Sequence, residues 1–440
     1  LTVWGAAALA RGDAGMGQEK EDAEKSMTGR REFLTGLAAA PAALAQRNSN
    51  EKIGIAAIGV GTRGYYLLNQ FQETPNTEIR VICDLYDGNI RRAQQATKYR
   101  DVRVVKEWEK AVEAKEVDAV VIATPDFWHA PMVIRAAQAK KDIYVEKGWC
   151  RTLDEAKRMR KAIKENNVVM QLGHNYNSLP TFHKAREIFQ SGALGKTPLI
   201  RLYIDRTNPH PEWQFYGDYN VQQAPGDASP QTIDWQRFTA NATKRPFDVD
   251  RFFTWRRWWE YGTGIAGDLM SHLWDSANMV AGLGIPESVM THGAQYFWHD
   301  GRDVPDMWNV VMDYPKKETA VSFACTFHNR HVGEVEQFLG RDLTMEVSPG
   351  FLRTWEAEWK PEFRQKYRAG AAVTPVYEYK KGDLEVTNHW TDFLDCVRSR
   401  RKPRCDVDRA FEEAATIVMS VEAFKKERRV KWDAAKEAIV

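Results

Sequence analysis

The chain predicts an α/β protein, a doubly wound parallel sheet followed by an α+β domain with an open, largely antiparallel sheet. Three observations carry that prediction. Between residues 53 and 175, β-rich apolar runs alternate with helical patterns, as they do where parallel strands are joined by crossover helices. The first run breaks into Gly59-Val60-Gly61-Thr62-Arg63-Gly64, a G-x-G-x-x-G turn placed where a strand should feed a helix. From about residue 287 to 379, runs such as 308–314 and 319–327 alternate with turn residues, as antiparallel strands do. At 440 residues the chain exceeds one ordinary core, so two or three domains are expected.

In chain order, residues 1–46 come first and lack a pattern that would bury a face. Within them, Met27 reads as a start. Arg30-Arg31-Glu32-Phe33-Leu34, a short alanine-rich stretch and an Ala43-Leu44-Ala45 end resemble a twin-arginine signal peptide. The mature protein would begin near Gln46, and the expected location is periplasmic. The stretch is too short and too alanine-rich for a stable membrane span.

Residues 47–175 form the first expected domain, with strands at 53–60, 79–84, 102–105, 118–125, 142–147 and 168–173 and helices at 63–72, 130–139 and 152–166. Ligands of such a sheet bind at the carboxyl ends of its strands. In the glycine turn, Gly59 permits the tight bend, Gly61 lets backbone approach a pyrophosphate and Gly64 lets helix pack on strand; the helix N-terminus adds N–H groups and positive dipole. The second strand ends in Asp84, 20 residues after Gly64, where a carboxylate can accept both ribose hydroxyls of NAD. Asp84 disfavours NADP, whose 2′-phosphate it would repel. The fourth strand ends in Thr124-Pro125-Asp126-Phe127-Trp128-His129, placed to line the nicotinamide half, and the fifth in Glu146-Lys147, a cation beside the same crevice.

Residues 176–440 form the second expected domain. A helix at 182–191 and a strand at 198–205 lead into an irregular aromatic stretch, then a helix at 265–280, the antiparallel runs, and closing helices at 391–398 and 407–427. Many of the 16 tryptophans fall between Trp213 and Trp274, which suits either a core or a site that stacks sugar faces. Asp268 and His272 stand at i and i+4, so a carboxylate could orient an imidazole for proton transfer, cap the helix or satisfy a core histidine. Charge is balanced, 62 basic against 60 acidic residues, so neither nucleic acid nor an anionic membrane is indicated and the partner should be a small molecule. The five cysteines show no metal spacing and imply no disulfide framework.

From about Lys52 onward the chain resembles the Gfo/Idh/MocA family of glucose-fructose oxidoreductase and inositol 2-dehydrogenase. The resemblance rests on the glycine turn at 59–64, the Thr124 to His129 motif, Glu146-Lys147, Gly173-His174-Asn175-Tyr176, and Asp268 with His272. It implies NAD held by Gly59, Gly61, Thr62, Arg63, Gly64, Asp84, Thr124, Pro125, Trp128, His129, Glu146 and Lys147. It also implies catalysis by Lys147, His272 and Asp268 on a sugar carbinol, with Tyr176 and Arg256 as further substrate contacts, and homo-oligomers formed through the second sheet. His272 would take the hydroxyl proton, Lys147 would bind that oxygen and depress the imidazole pKa, and Asp268 would hold the ring or a second hydroxyl. One departure stands out: the family usually has Pro after Glu-Lys, and this chain has Gly148-Trp149. Three outcomes remain open. Export would leave no soluble NAD pool, so the nicotinamide would have to be retained and recycled, and the resemblance and Lys147 then favour an oxidoreductase. An NAD-dependent glycoside hydrolase working by transient C3 oxidation is the alternative, although such enzymes generally lack the lysine; a non-catalytic sugar or NAD sensor is the third.

Overall fold

The computed structural model describes residues 51–214, 223–357 and 373–440, with 360–362 and 365. The leader at 27–46 and the start at Met27 lie outside the described residues.

The first sheet has six parallel strands: β1 (Ile53–Ile58), β2 (Thr77–Cys83), β3 (Arg103–Val105), β4 (Ala119–Ile122), β5 (Asp142–Val145) and β6 (Met170–Leu172). Their spatial order is 3-2-1-4-5-6, the doubly wound arrangement in which the chain reverses direction across the sheet between β1 and β4. β1, β4 and β5 are buried along their whole length, which is why they read as continuous apolar runs rather than alternating ones. The connecting helices are α1 (Thr62–Glu73), α2 (Asp87–Ala96), α3 (Trp108–Val112), α4 (His129–Gln138) and α5 (Leu153–Asn166). α5 begins with a complete capping box, Thr152 with Glu155, two donors satisfied reciprocally.

Next come α6 (Pro180–Gln190) and β7 (Leu199–Ile204), then the short helices α7 (Trp235–Phe238) and α8 (Val249–Phe253), and α9 (Ser271–Ala281). The second sheet continues with β8 (Ser288–Ala294), β9 (Met307–Tyr314), β10 (Thr319–Thr326), β11 (Glu334–Leu339), β12 (Leu343–Ser348), β13 (Phe351–Glu356) and β14 (Tyr377–Glu378). Its order is 14-13-12-11-7-10-9-8-15-16, where β15 (Val430–Asp433) and the edge strand β16 (Ala438–Ile439) have no counterpart in the strands expected from sequence. Only the β7–β10 pair is parallel among the named strand pairs of this sheet. β9 alternates buried and open positions, so Trp308, Val310 and Met312 enter the core while Val311 faces out. Trp213 and Trp274 are also core here, not a stacking surface.

The closing helices α10 (His389–Ser399) and α11 (Val407–Lys425) return to the first sheet. Phe393, Leu394, Cys396 and Val397 of α10 share a core with Ile53, Ile55 and Phe71 on one face; Phe411 and Ala414 of α11 share a core with Ile58, Val120 and Ile143 on the other. Ile417 and Met419 of α11 also pack into the core of the second sheet. All five cysteines are buried and unlinked, Cys396 and Cys405 included.

Candidate active site

One cleft of about 380 Å³ runs across the carboxyl ends of β1, β2, β4 and β5 and reaches α9. Gly59, at φ +78°, makes the bend that leaves β1, and a Cβ on Gly64 would sit 1.7 Å from the Gly59 carbonyl oxygen, so the α1–β1 approach requires glycine there. α1 starts with no side-chain cap and no acid in its first turn, which leaves its first N–H groups to meet an anion. The Asp84 carboxylate accepts from Val60 N (2.8 Å) and Tyr86 N (2.9 Å) and from Asn89 Nδ2, so it braces the glycine turn while lining the cleft. Burial raises its pKa despite those donors. Gly61, Thr62, Arg63, Thr124, Pro125, Trp128 and Glu146 line the same cleft, and Arg63 Nε donates to Glu146 (2.8 Å). An uncapped helix end, a close-approach turn and a carboxylate at the β2 terminus fit the pyrophosphate and ribose of NAD.

His129 is placed differently. It is fully buried, its two ring nitrogens sit 3.0 Å from the carbonyl oxygens of Gly148 and Thr124, and it is not among the residues lining the cleft. Burial lowers its pKa, so the neutral ring has one N–H to donate and braces the β4 or the β5 turn, one at a time.

At the other end, the Lys147 ammonium donates to the Asp268 carbonyl (2.6 Å) and carboxylate (2.5 Å). Arg256 Nε (3.0 Å) and Trp213 Nε1 (2.7 Å) also donate to that carboxylate. Burial alone would raise the Asp268 pKa, but Lys147 and Arg256 outweigh it and hold the carboxyl well below its usual range. Of the two roles expected of Asp268, holding the His272 ring or a second hydroxyl, the first has no hydrogen bond behind it among the described residues. Residues 266–270 form a π turn, whose wider winding breaks the i, i+4 alignment of an α-helix, and the carboxylate is turned to the cations.

His272 lines the cleft and stacks on Tyr176, ring centroids 5.1 Å apart at 28°. His174, fully buried against the Glu413 carboxyl, meets it edge-on at 5.4 Å. Burial, then Lys147, then His174 push the His272 pKa well below the ordinary imidazole value, so this ring is neutral and able to take a proton. Its Nδ1 is buried without a partner among the described residues. Tyr176 donates its hydroxyl to Glu334, which fixes the ring that His272 lies on.

Three features were not read from the sequence. Asp126 enters the cleft between Lys147 and the π turn, although its motif was recognised. Glu413 reaches His174 from α11, with no local pattern to signal it. Residues 224–253 fold back over the Asp84 end. Tyr86 and Ile233 form a β-bridge, Asp227 accepts from Tyr86 and pairs with Arg91, and Phe238, Ala240, Phe252 and Phe253 line the cleft. Among the described residues no group of His, Cys, Asp and Glu could hold a metal ion, and no helix is long and apolar enough to cross a membrane.

Residues 53–174 match the family model described as GFO_IDH_MocA, oxidoreductase family, NAD-binding Rossmann fold. Levoglucosan dehydrogenase of Pseudarthrobacter phenanthrenivorans is 30% identical over 151 residues, 33% of this chain and 39% of that protein. The scyllo-inositol 2-dehydrogenase (NAD(+)) of Bacillus subtilis is 28% identical over 241 residues, 50% of this chain and 66% of that one. The chain thus spans less than two thirds of either relative. Among solved structures, the WlbA dehydrogenase of Bordetella pertussis, in complex with NADH and UDP-GlcNAcA, superposes with a TM-score of 0.65 at 18% identity, covering 87% of this chain and 99% of that one. The aldose-aldose oxidoreductase of Caulobacter crescentus gives 0.63 at 16% identity over 87% and 100%. At these identities the structures share the fold.

Proposed function

We propose, for a chain whose residues 53–174 match the model of the Gfo/Idh/MocA oxidoreductase family, that it is an NAD-dependent oxidoreductase acting on a secondary alcohol of a sugar or sugar derivative, with the cofactor retained between turnovers. The observation that carries this is a neutral imidazole, His272, and a held ammonium, Lys147, in the same cleft as the glycine turn. Gly59, Gly61, Gly64 and the start of α1 would hold the pyrophosphate and Asp84 a ribose; bound there, NAD supplies the acceptor for the carbinol hydride.

The chain's own residues do the rest. Lys147, aimed by Asp268, donates to the carbinol oxygen. His272 removes the hydroxyl proton as general base, an effect worth about 10²–10⁴-fold in rate. Asp268 stays ionised throughout, since two cations and the indole N–H stabilise its charge. Retention is supported by residues 224–253 lying over the Asp84 end, and the reduction of a second carbonyl compound on the same cofactor is the reading suggested by the fold shared with an aldose-aldose oxidoreductase.

In this reading 47–175 is the cofactor domain and 176–440 the substrate and oligomerisation domain. The second sheet presents Met290 and Val311, each about half exposed, to a second copy. The leader at 27–46 would send the loaded protein to the periplasm by the twin-arginine route.

The test is direct. Purified protein should keep nicotinamide absorbance through dialysis, accumulate reduced cofactor with one sugar and lose it when a carbonyl partner is added. His272→Ala should bind cofactor normally and reduce it at least about 100-fold more slowly. Undiminished reduction in that variant, or release of free sugar from an aryl glycoside by the wild type, would overturn the proposal.

A further inference from the structure

We propose that Asp126 is a substrate ligand, a carboxyl that receives the sugar hydroxyl next to the carbinol held by Lys147 and His272. The proposal rests on the oxidoreductase reading for the position of that carbinol, but its own evidence is separate.

Asp126 is 7% exposed, and what remains open belongs to a residue lining the cleft. Among the described residues no donor hydrogen-bonds its carboxylate. Neither oxygen is among the fully buried side-chain atoms without a partner, so the carboxylate opens on the cleft, where a ligand hydroxyl can replace water.

The space around it is built by glycine. A Cβ on Gly148, which follows the β5 lysine, would lie 2.6 Å from an Asp126 oxygen; on Gly262, 3.3 Å; on Gly267, in the π turn, 3.8 Å. Gly148 thus leaves room for the carboxyl, and a Cβ on Gly262 would crowd it; at Gly267 it is Thr263 Oγ1, 1.8 Å away, that excludes a side chain. This also accounts for the Gly148 departure from the usual proline, because at φ +73° proline cannot stand there and any side chain would strike Asp126.

Its neighbours make the role selective. Lys147 and Arg256 are tied to Asp268, so they lower the charge cost of Asp126 without occupying its lone pairs. Sugars carry hydroxyls on adjacent carbons, and a site that must hydrogen-bond the second one rejects alcohols that lack it. The carboxyl pKa, pushed up to about 7 chiefly by burial, allows it to donate as an acid below that pH and to accept as a carboxylate above it.

The experiment is calorimetric titration of NADH-loaded protein at pH 8 with myo-inositol, levoglucosan and D-glucose, each alone, on wild type, Asp126→Ala and Asp126→Asn. At least one probe should bind wild type, tenfold or more tighter than Asp126→Ala. Asp126→Asn, which keeps one acceptor oxygen and the same shape, should fall between them. NADH affinity by nicotinamide fluorescence and the melting temperature of the loaded protein serve as structural readouts and should not fall in Asp126→Asn. Equal affinity across the three proteins, or no binding of any probe to wild type, overturns the proposal. Asp126-dependent binding in a wild type that never reduces NAD with these probes would instead sink the reaction and leave the ligand role standing.

Discussion

At the scale of single residues, the site is governed by how burial is compensated. Asp126 is a buried carboxyl and Asp268 a largely covered one in the same cleft, yet they are driven in opposite directions. Asp268 receives an ammonium, a guanidinium and an indole N–H; Asp126 receives no hydrogen bond among the described residues, while Arg256, Lys147 and Arg151 only partly offset its burial and Asp268 opposes them. A carboxyl whose folded pKa is raised favours folding in full below its unfolded value and loses that contribution as pH rises through the folded one. For Asp126 the window runs from the ordinary carboxyl value of 3.8 to about 7. Asp126→Asn, neutral at all pH, should therefore gain on wild type between pH 5 and pH 8, by roughly 2 °C or more in melting temperature. A difference that stayed constant or shrank would contradict the unpaired state of this carboxyl. The sequence placed Lys147, His272 and Asp126 in legible motifs, but their partners were not legible, since Asp268 lies 121 residues from Lys147.

Among the elements, turns hold the cleft in shape. The β1–α1 turn was legible because glycine spacing states its own geometry: a bend at Gly59 and a close packing at Gly64. The β5 turn was legible only as a departure from a pattern, and its reason is Asp126. Gly148→Ala should cost about 1–3 kcal/mol, read from denaturant unfolding, through positive φ and collision with that carboxyl. The loss should be smaller in the Asp126→Ala background, where the collision is removed and the backbone strain remains; equal losses would show that the two residues do not meet. The helix at 265–280 was expected to be regular, and its first turn is π instead. Hydrophobic periodicity over four turns does not report one extra residue in a single turn.

For the whole molecule, the two sheets are linked by returning segments. α10 and α11 cover opposite faces of the first sheet, and α11 also packs against the second. Residues 224–253 cross back to Asp84. If this strap retains the cofactor, Asp227→Ala, which deletes the acceptor of Tyr86 and the partner of Arg91, should release NAD about tenfold faster in a filtration assay, the equivalent of about 1.4 kcal/mol. Asp227 lies on the surface, so the melting temperature of the cofactor-free protein should change little. Unchanged release would assign retention to the glycine turn alone.

The amino-acid sequence by itself determined the six-strand alternation, the glycine turn, Asp84 at the second strand's end and the residue types of the cleft. Those depend on local period and turn chemistry, which neighbouring residues encode. Tertiary structure alone decided that the Asp268 carboxylate turns to Lys147 and Arg256, that Gly148 leaves a space for Asp126, and that residues 224–253 return to the Asp84 end. Each is a contact between segments far apart in the chain, selected by how the two sheets and the returning helices fill space and compensate buried charge.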